Sequence, residues 1–258
     1  MRFAAFCCLS FCFSVLQGQI IELDHFDDLP SYVTKDTLII LDIDDTLLIP
    51  VQMLGCDEWF THQFQKYIQE GMDHAKALEK SLTEWEAIRH LTQMEIVESG
   101  SEKIIQTLQE EGFSVMGLTT QELVLSARTR DHLLEQKIDL SKTAPSQRDH
   151  YFQMGDYGVL YRKGVLFTSG RHKGEALFYL CDMMDHDPKR IVFVNDKATH
   201  LAEIEVSAEK RGIEFVGLRY SYSDSRKKAF QPEIAEYQFL NSSLGYLLSD
   251  QEVAERGF

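Results

Sequence analysis

An α/β layered fold, a parallel sheet covered by helices and broken by a helical insert, is expected from three features of the chain. Four short apolar runs, Thr37–Leu41, Phe113–Leu118, Arg190–Val194 and Ile213–Leu218, read as strands buried on both faces. Segments of helical periodicity lie between them, and such alternation builds a sheet with right-handed crossovers. Directly after the first strand, Asp57 to about Val97 reads as helix throughout and breaks that rhythm.

Residues 1–18 stand apart from the fold. Arg2 gives a short positive start, Phe3 to Leu16 is apolar except for Ser10 and Ser14, and Gly18 is a small residue at the −1 cleavage position. The run is too short to span a bilayer and fits the apolar region of a secretory signal peptide. The mature protein is therefore expected to be exported, periplasmic or secreted, with no membrane span. Cleavage removes Cys7, Cys8 and Cys12 and leaves Cys56 and Cys181, so no disulfide framework and no Cys-x-x-Cys motif exists. One bridge between the remaining two stays open, since it depends on geometry.

Residues 19–49 and 100–258 are read as the α/β core, and 50–99 as the insert. Within the insert, Phe60, Phe64, Tyr67 and Ile68 form one stripe, and Leu78, Leu82, Trp85, Ile88 and Leu91 another. Gly71 and Asp73 supply a turn and a new N-cap, so a helical hairpin is expected, with its aromatic stripe as core. Beyond it, Ser101 is expected to cap a helix carrying Ile104, Ile105 and Leu108, which Gly112 ends. Leu123–Leu134 reads as a further helix. Leu201, Ile204 and Ala208 mark another, stopped at Gly212. Asp139 to Ser169 starts as loop over 141–149. It ends in a hairpin, Val159–Tyr161 and Val165–Phe167 around Arg162-Lys163-Gly164.

Composition narrows the function. The 258 residues carry 26 basic against 41 acidic side chains, a formal net charge of −15. That balance argues against nucleic-acid binding, which needs basic surface. An anionic substrate would need local positive charge. Fifteen glycines, five prolines and 44% hydrophobic residues argue against collagen-like and disordered classes.

The chemistry begins at Asp42-Ile43-Asp44-Asp45-Thr46-Leu47, which continues the first strand. Asp42 and Asp44 are two apart, so in extended chain they point the same way. Two carboxylates at 4 Å repel by about 4 kcal/mol at an effective dielectric near 20. The pair must share a proton, take up a cation or sit in water. Oxygen-rich sites at a strand's carboxyl end suit Mg²⁺ and lie where open α/β sheets bind ligands. A solvated turn is the plain reading of Asp45.

An apolar strand followed by Asp-x-Asp-x-Thr resembles the first motif of the haloacid dehalogenase (HAD) superfamily, mostly phosphohydrolases. Three more motifs follow in the family's order. Thr119, ending Ser114-Val115-Met116-Gly117-Leu118-Thr119, stands where the family binds phosphate, with Thr120 as its substitute if the register slips; Thr119-x-x-Glu122 also reads as a capping box. Lys173, in Arg171-His172-Lys173-Gly174, stands at a helix start, with Arg171 and His172 as partial alternatives. Asn195-Asp196 follows the strand Arg190–Val194, where the family often has two aspartates and a further acid four residues on; here His200 follows instead.

The resemblance implies a three-layer Rossmann-like parallel sheet with the insert as a small helical cap, and is closest to exported HAD-type phosphatases. It makes Asp42 the nucleophile, Asp44 the general acid/base, and Thr119, Thr120 and Lys173 the phosphate ligands. Asp42, the Asp44 carbonyl, Asp196 and Asn195 would hold Mg²⁺. A small phosphorylated substrate is expected; its identity and the oligomeric state stay open. A dehalogenase or phosphomutase would keep Asp42, but Asp44 and the metal set favour phosphate. A receiver domain would place its acidic pair on an earlier strand. The alternative is a catalytically weak or inactive binding or effector protein on the same fold. The histidines His62, His74, His90, His132, His150 and His186 show no metal-ligand spacing.

Overall fold

The computed structural model describes residues 19–243 and 247–257, so the leader expected over 1–18 lies outside them. The chain runs through β1 (Gln19–Leu23), a 3-10 turn (Phe26–Tyr32) and β2 (Thr37–Leu41). Next come β3 (Leu48–Pro50), α1 (Asp57–Gln69), α2 (His74–Leu91), β4 (Met94–Ile96) and α3 (Ser101–Glu110). β5 (Ser114–Thr119), α4 (Ser126–Glu135), β6 (His150–Met154), β7 (Tyr157–Arg162) and β8 (Val165–Phe167) follow. The last part holds α5 (Lys173–Met183), β9 (Arg190–Asn195), α6 (Ala198–Glu209), β10 (Glu214–Tyr220), α7 (Asp224–Lys228), α8 (Pro232–Asn241) and α9 (Asp250–Glu255).

Among the described residues the main sheet has eight strands in the order β1-β10-β9-β2-β5-β8-β7-β6. Pairings from β1 to β8 along that order are parallel, and β7 and β6 are antiparallel. The fold is thus the expected three-layer Rossmann-like α/β sheet, but a mixed one. The expected hairpin forms as β7 and β8, and β6 adds an edge strand beside it. Only Phe152 of β6 is buried, so its sequence carries little apolar signal. The other edge, β1, buries only Leu23 and likewise escapes a pattern search.

Strand alternation makes the layers. Ile39 and Leu41 of β2, with Val192 and Val194 of β9, pack on Ile105 and Leu108 of α3 and Leu133 of α4. Leu38, Ile40, Ile191 and Phe193 face the other way, onto Leu177 and Leu180 of α5 and Leu201 and Ile204 of α6. Each such side chain taken fully from water contributes about 1.5–3 kcal/mol.

The insert differs from its expectation in two respects. Residues 57–97 are not helical throughout: Thr92 ends α2, and β4 turns back as an antiparallel partner of β3. The helix α1 buries Trp59, Gln63 and Tyr67, whereas Phe60 and Phe64 of the expected stripe are only part-buried. Trp59 packs against Phe239 of α8 with ring centroids 5.3 Å apart, in a cluster with Leu54, Trp85 and Ala235. Asp73 does cap α2, accepting from Ala75 and Lys76. Ser101 does not cap α3. Gly100, at φ 103°, takes that place, and the Ser101 hydroxyl donates to the Glu98 carbonyl at 2.9 Å. Cys56 and Cys181 are both buried and free, with Cys56 capping α1 through its sulfur.

Candidate active site

Neighbouring strands β9, β2 and β5 end side by side, and their carboxyl ends carry the residues singled out in the sequence. Asp42 follows β2, its backbone N–H donating to the Val194 carbonyl of β9 at 3.0 Å. Thr119 ends β5 and Asn195 ends β9. Lys173 opens α5 on the far layer and reaches under the sheet edge. Its Nζ, in a side chain with no solvent exposure, donates to Asp42 Oδ1 at 2.6 Å and to the Leu118 carbonyl at 3.2 Å. Burial pushes the Asp42 carboxyl up to about 7, although Lys173 pulls the other way.

Asp44 lies beside it under a different restraint. Gln121 Nε2 donates to both carboxylate oxygens, at 3.1 and 2.8 Å, and Arg89 of α2 pairs with Oδ1. Burial raises the Asp44 carboxyl, with Arg89 opposing. Asp45 is no solvated turn residue. It is 2% exposed, has a left-handed φ of 58°, and leaves Oδ2 buried without a partner. Burial and the charges of Asp57 and Asp196 push its carboxyl well above the usual range.

Thr119 and Glu122 form no capping box. Thr119 Oγ1 accepts from the Gln121 N–H at 3.1 Å instead, which leaves its hydrogen free to donate. Thr120 lines the cavity beside it. His172 caps α5, its ring nitrogen accepting from the Glu175 N–H at 3.3 Å. Arg171 faces the cavity with its guanidinium 3.7 Å from the Tyr157 ring centroid.

The β9 end departs most from expectation. Asn195 Oδ1 accepts from the Lys197 N–H at 2.7 Å, so the atom expected to serve a metal is committed to the turn, and Nδ2 is buried without a partner. Asp196 Oδ2 accepts from Lys227 of α7 at 2.7 Å, while Oδ1 is buried and unpartnered. Lys197 pairs at 2.5 Å with Asp57, the first residue of α1. Burial works against ionisation of Asp57, but Lys197 brings its carboxyl below the ordinary range. His200 lines the cavity; burial and the nearby lysines hold it neutral, down to about 3.

Asp42, Asp44, Asp57, Gln121, Lys197 and His200 open into a cavity of about 740 Å³ between the sheet edge and the helical hairpin. Its floor holds Asp42, Asp44, Thr119 and Thr120, and its far wall is Phe60, Leu78, Leu82 and Trp85. Of the residues singled out in the sequence, Asp42, Asp44, Thr119 and Thr120 line this cavity while Lys173, Asn195 and Asp196 lie behind its lining, and four charged or polar partners were not foreseen: Arg89, Gln121, Lys197 and Lys227. Gln121 and Lys197 stand within or beside the Thr119-x-x-Glu122 and Asn195-Asp196 stretches without an assigned role, and Arg89 and Lys227 fall in no motif. Lys227 is 31 residues from the carboxylate it meets and Arg89 is 45 from its own.

The profile of a family described as "Protein of unknown function (DUF2608)" matches residues 22–254. A Chlamydia pneumoniae protein named "Putative outer membrane protein" is 24% identical over 249 residues, 96% of this chain and 93% of that protein. Among solved structures, a phosphoserine phosphatase captured as a phospho-aspartyl intermediate analogue aligns at TM-score 0.37 and 16% identity, over 77% of this chain and all of that one. A Thermotoga maritima structure titled "putative beta-phosphoglucomutase" aligns at TM-score 0.41 and 13% identity, over 74% of this chain and 99% of that one. At such scores neither carries information on the reaction.

Proposed function

The chain belongs to the DUF2608 family, and from the pocket it carries we propose that it is a Mg²⁺-dependent phosphohydrolase acting through an aspartyl-phosphate on Asp42. One observation carries this reading. A buried carboxylate at a strand's carboxyl end is held by a buried lysine at 2.6 Å, beside a threonine hydroxyl and a second carboxylate, on the floor of one cavity.

The donor set suits a hard divalent cation. Asp196 Oδ1 is a buried carboxylate oxygen without a partner, and a buried anionic oxygen calls for a cation. No group of three His, Cys, Asp or Glu side chains among the described residues surrounds one point, so Asp42 and Asp196 would need the Asp44 carbonyl and water to complete an oxygen shell. Bound there, Mg²⁺ would supply charge neutralisation at the phosphoryl oxygens.

Lys173 holds Asp42 Oδ1 and leaves Oδ2 to attack phosphorus in line. The phosphorus–oxygen bond to the leaving group breaks as the Asp42–phosphorus bond forms. Asp44 gives the departing oxygen a proton and recovers one from the water that then hydrolyses the aspartyl-phosphate. Thr119 donates to an equatorial oxygen, and the Lys173 ammonium offsets the charge that builds there. The apolar wall of the cavity takes the organic part of a small phosphomonoester.

Asp42→Asn is expected to abolish phosphate release from an aryl phosphate, with the far-ultraviolet circular dichroism unchanged. Wild-type turnover in that variant sinks the assignment. The placement of Lys227 and Lys197 favours a second reading, a non-catalytic binding protein whose carboxylates are neutralised internally. That reading expects neither turnover nor thermal stabilisation by Mg²⁺.

Export is proposed on the leader over residues 1–18 and on the name of the Chlamydia relative. No helix among the described residues is long and apolar enough to cross a membrane.

A further inference from the structure

Resting on the phosphohydrolase reading, we infer that Arg89 is a positioning residue through which the helical hairpin orients the acid/base Asp44. The side chain is 4% exposed and belongs to α2, outside the α/β core. Its guanidinium lies over the Trp85 ring, 4.9 Å from the centroid. One nitrogen donates to the Gly55 carbonyl at 3.4 Å, and another pairs with Asp44 Oδ1. Trp85 is itself fixed, its Nε1 donating to the Cys56 carbonyl at 3.3 Å. Arg89 is thereby braced at the foot of the hairpin and cannot shift unless the hairpin shifts.

The core supplies the opposite jaw. Thr129 Oγ1 donates to Gln121 Oε1 at 2.6 Å, which turns the Gln121 amide nitrogen toward Asp44. That orientation follows from the hydrogen-bond network, since only Oε1 can accept. Asp44 therefore sits between a core amide and a hairpin guanidinium, with one carboxylate orientation satisfying both. A buried ion pair is weak support for stability, because desolvation offsets the attraction. What it does well is fix geometry, and a general acid must be aligned with the oxygen it protonates. Arginine suits the task because its planar fork meets a carbonyl and a carboxylate while stacking on an indole; lysine cannot make all three contacts.

The test compares kcat/KM for p-nitrophenyl phosphate, whose leaving group departs without a proton, with that for glycerol 2-phosphate, whose alkoxide needs one. Arg89→Met should cut the alkyl-phosphate value by about 10²-fold, the low end for loss of a general acid, and at least tenfold more than the aryl-phosphate value. In an Asp44→Asn background the same substitution should add almost nothing. Arg89→Lys should recover part of the alkyl activity, and it carries the same comparison if the methionine variant does not fold. Equal losses on both substrates, or a full further loss in the Asp44→Asn background, overturn the inference while leaving the phosphohydrolase reading in place. A wild type that turns over neither substrate with Mg²⁺ overturns both.

Discussion

A methyl group at position 174 has no room. A Cβ there would stand 2.3 Å from Ser207 Oγ and 2.4 Å from the Glu203 carbonyl, because α5 and α6 approach closely at this point. The contact also fixes Lys173, whose N–H donates to Glu203 Oε2 at 2.8 Å. Gly174→Ala should cost about 1–3 kcal/mol by overpacking, read as a lowered Tm, and should reduce turnover by moving Lys173. Asp45 makes the opposite prediction. Its buried, unpartnered oxygen makes the ionised form expensive, so the native carboxyl binds its proton more tightly than the unfolded one. The penalty is absent below the ordinary aspartate range and grows as pH rises through the raised native value. Asp45→Asn, compatible with the left-handed φ of 58°, should add about 1–3 kcal/mol at pH 8. It should match wild type near pH 3 in thermal melts.

Secondary structure was legible where burial was continuous. In β2 every residue is buried and in β9 nearly every one, so neither strand could hide in the sequence. Edge strands and the β3–β4 ribbon are short or half-exposed, and their pairing depends on neighbours distant in the chain. The same limit explains the site. Asp42, Thr119, Lys173 and Asp196 sit at ends of elements, in local patterns, whereas Arg89 and Lys227 reach their partners only through tertiary packing. The stripe on α1 misled because the helix turns one residue round from it, putting Trp59 inward and Phe60 at the cavity. Trp59 should therefore be the anchor of the hairpin. Trp59→Ala should cost about 3–5 kcal/mol. Trp59→Phe, which removes the unpartnered indole N–H but keeps a ring, should cost distinctly less by urea unfolding.

A protein of net charge −15 must carry any attraction for an anionic ligand locally. Lys173, Arg89 and Lys197 face the carboxylates of Asp42, Asp44 and Asp57, Lys227 faces those of Asp196 and Asp224, and Asp45 has no such partner. Glu58, Glu86 and Glu122 also line the cavity, so acidic side chains outnumber Arg171 and Lys197 there and a divalent ion can relieve them. Mg²⁺ at about 100 times its dissociation constant should stabilise the fold by about 2.7 kcal/mol, visible as a rise in Tm that EDTA reverses. Asp196→Asn should lose that response.

The hairpin enters and leaves the core through β3 and β4, which are hydrogen-bonded to each other. Paired straps flex across their flat side and resist sliding past one another. Arg226 crosses that line, joining the Pro50 and Val51 carbonyls to Glu95. With Trp59 on Phe239 of α8, Lys197 on Asp57 and Arg89 on Asp44, the hairpin is moored at several points, and a wider mouth above Asp42 would need all of them released.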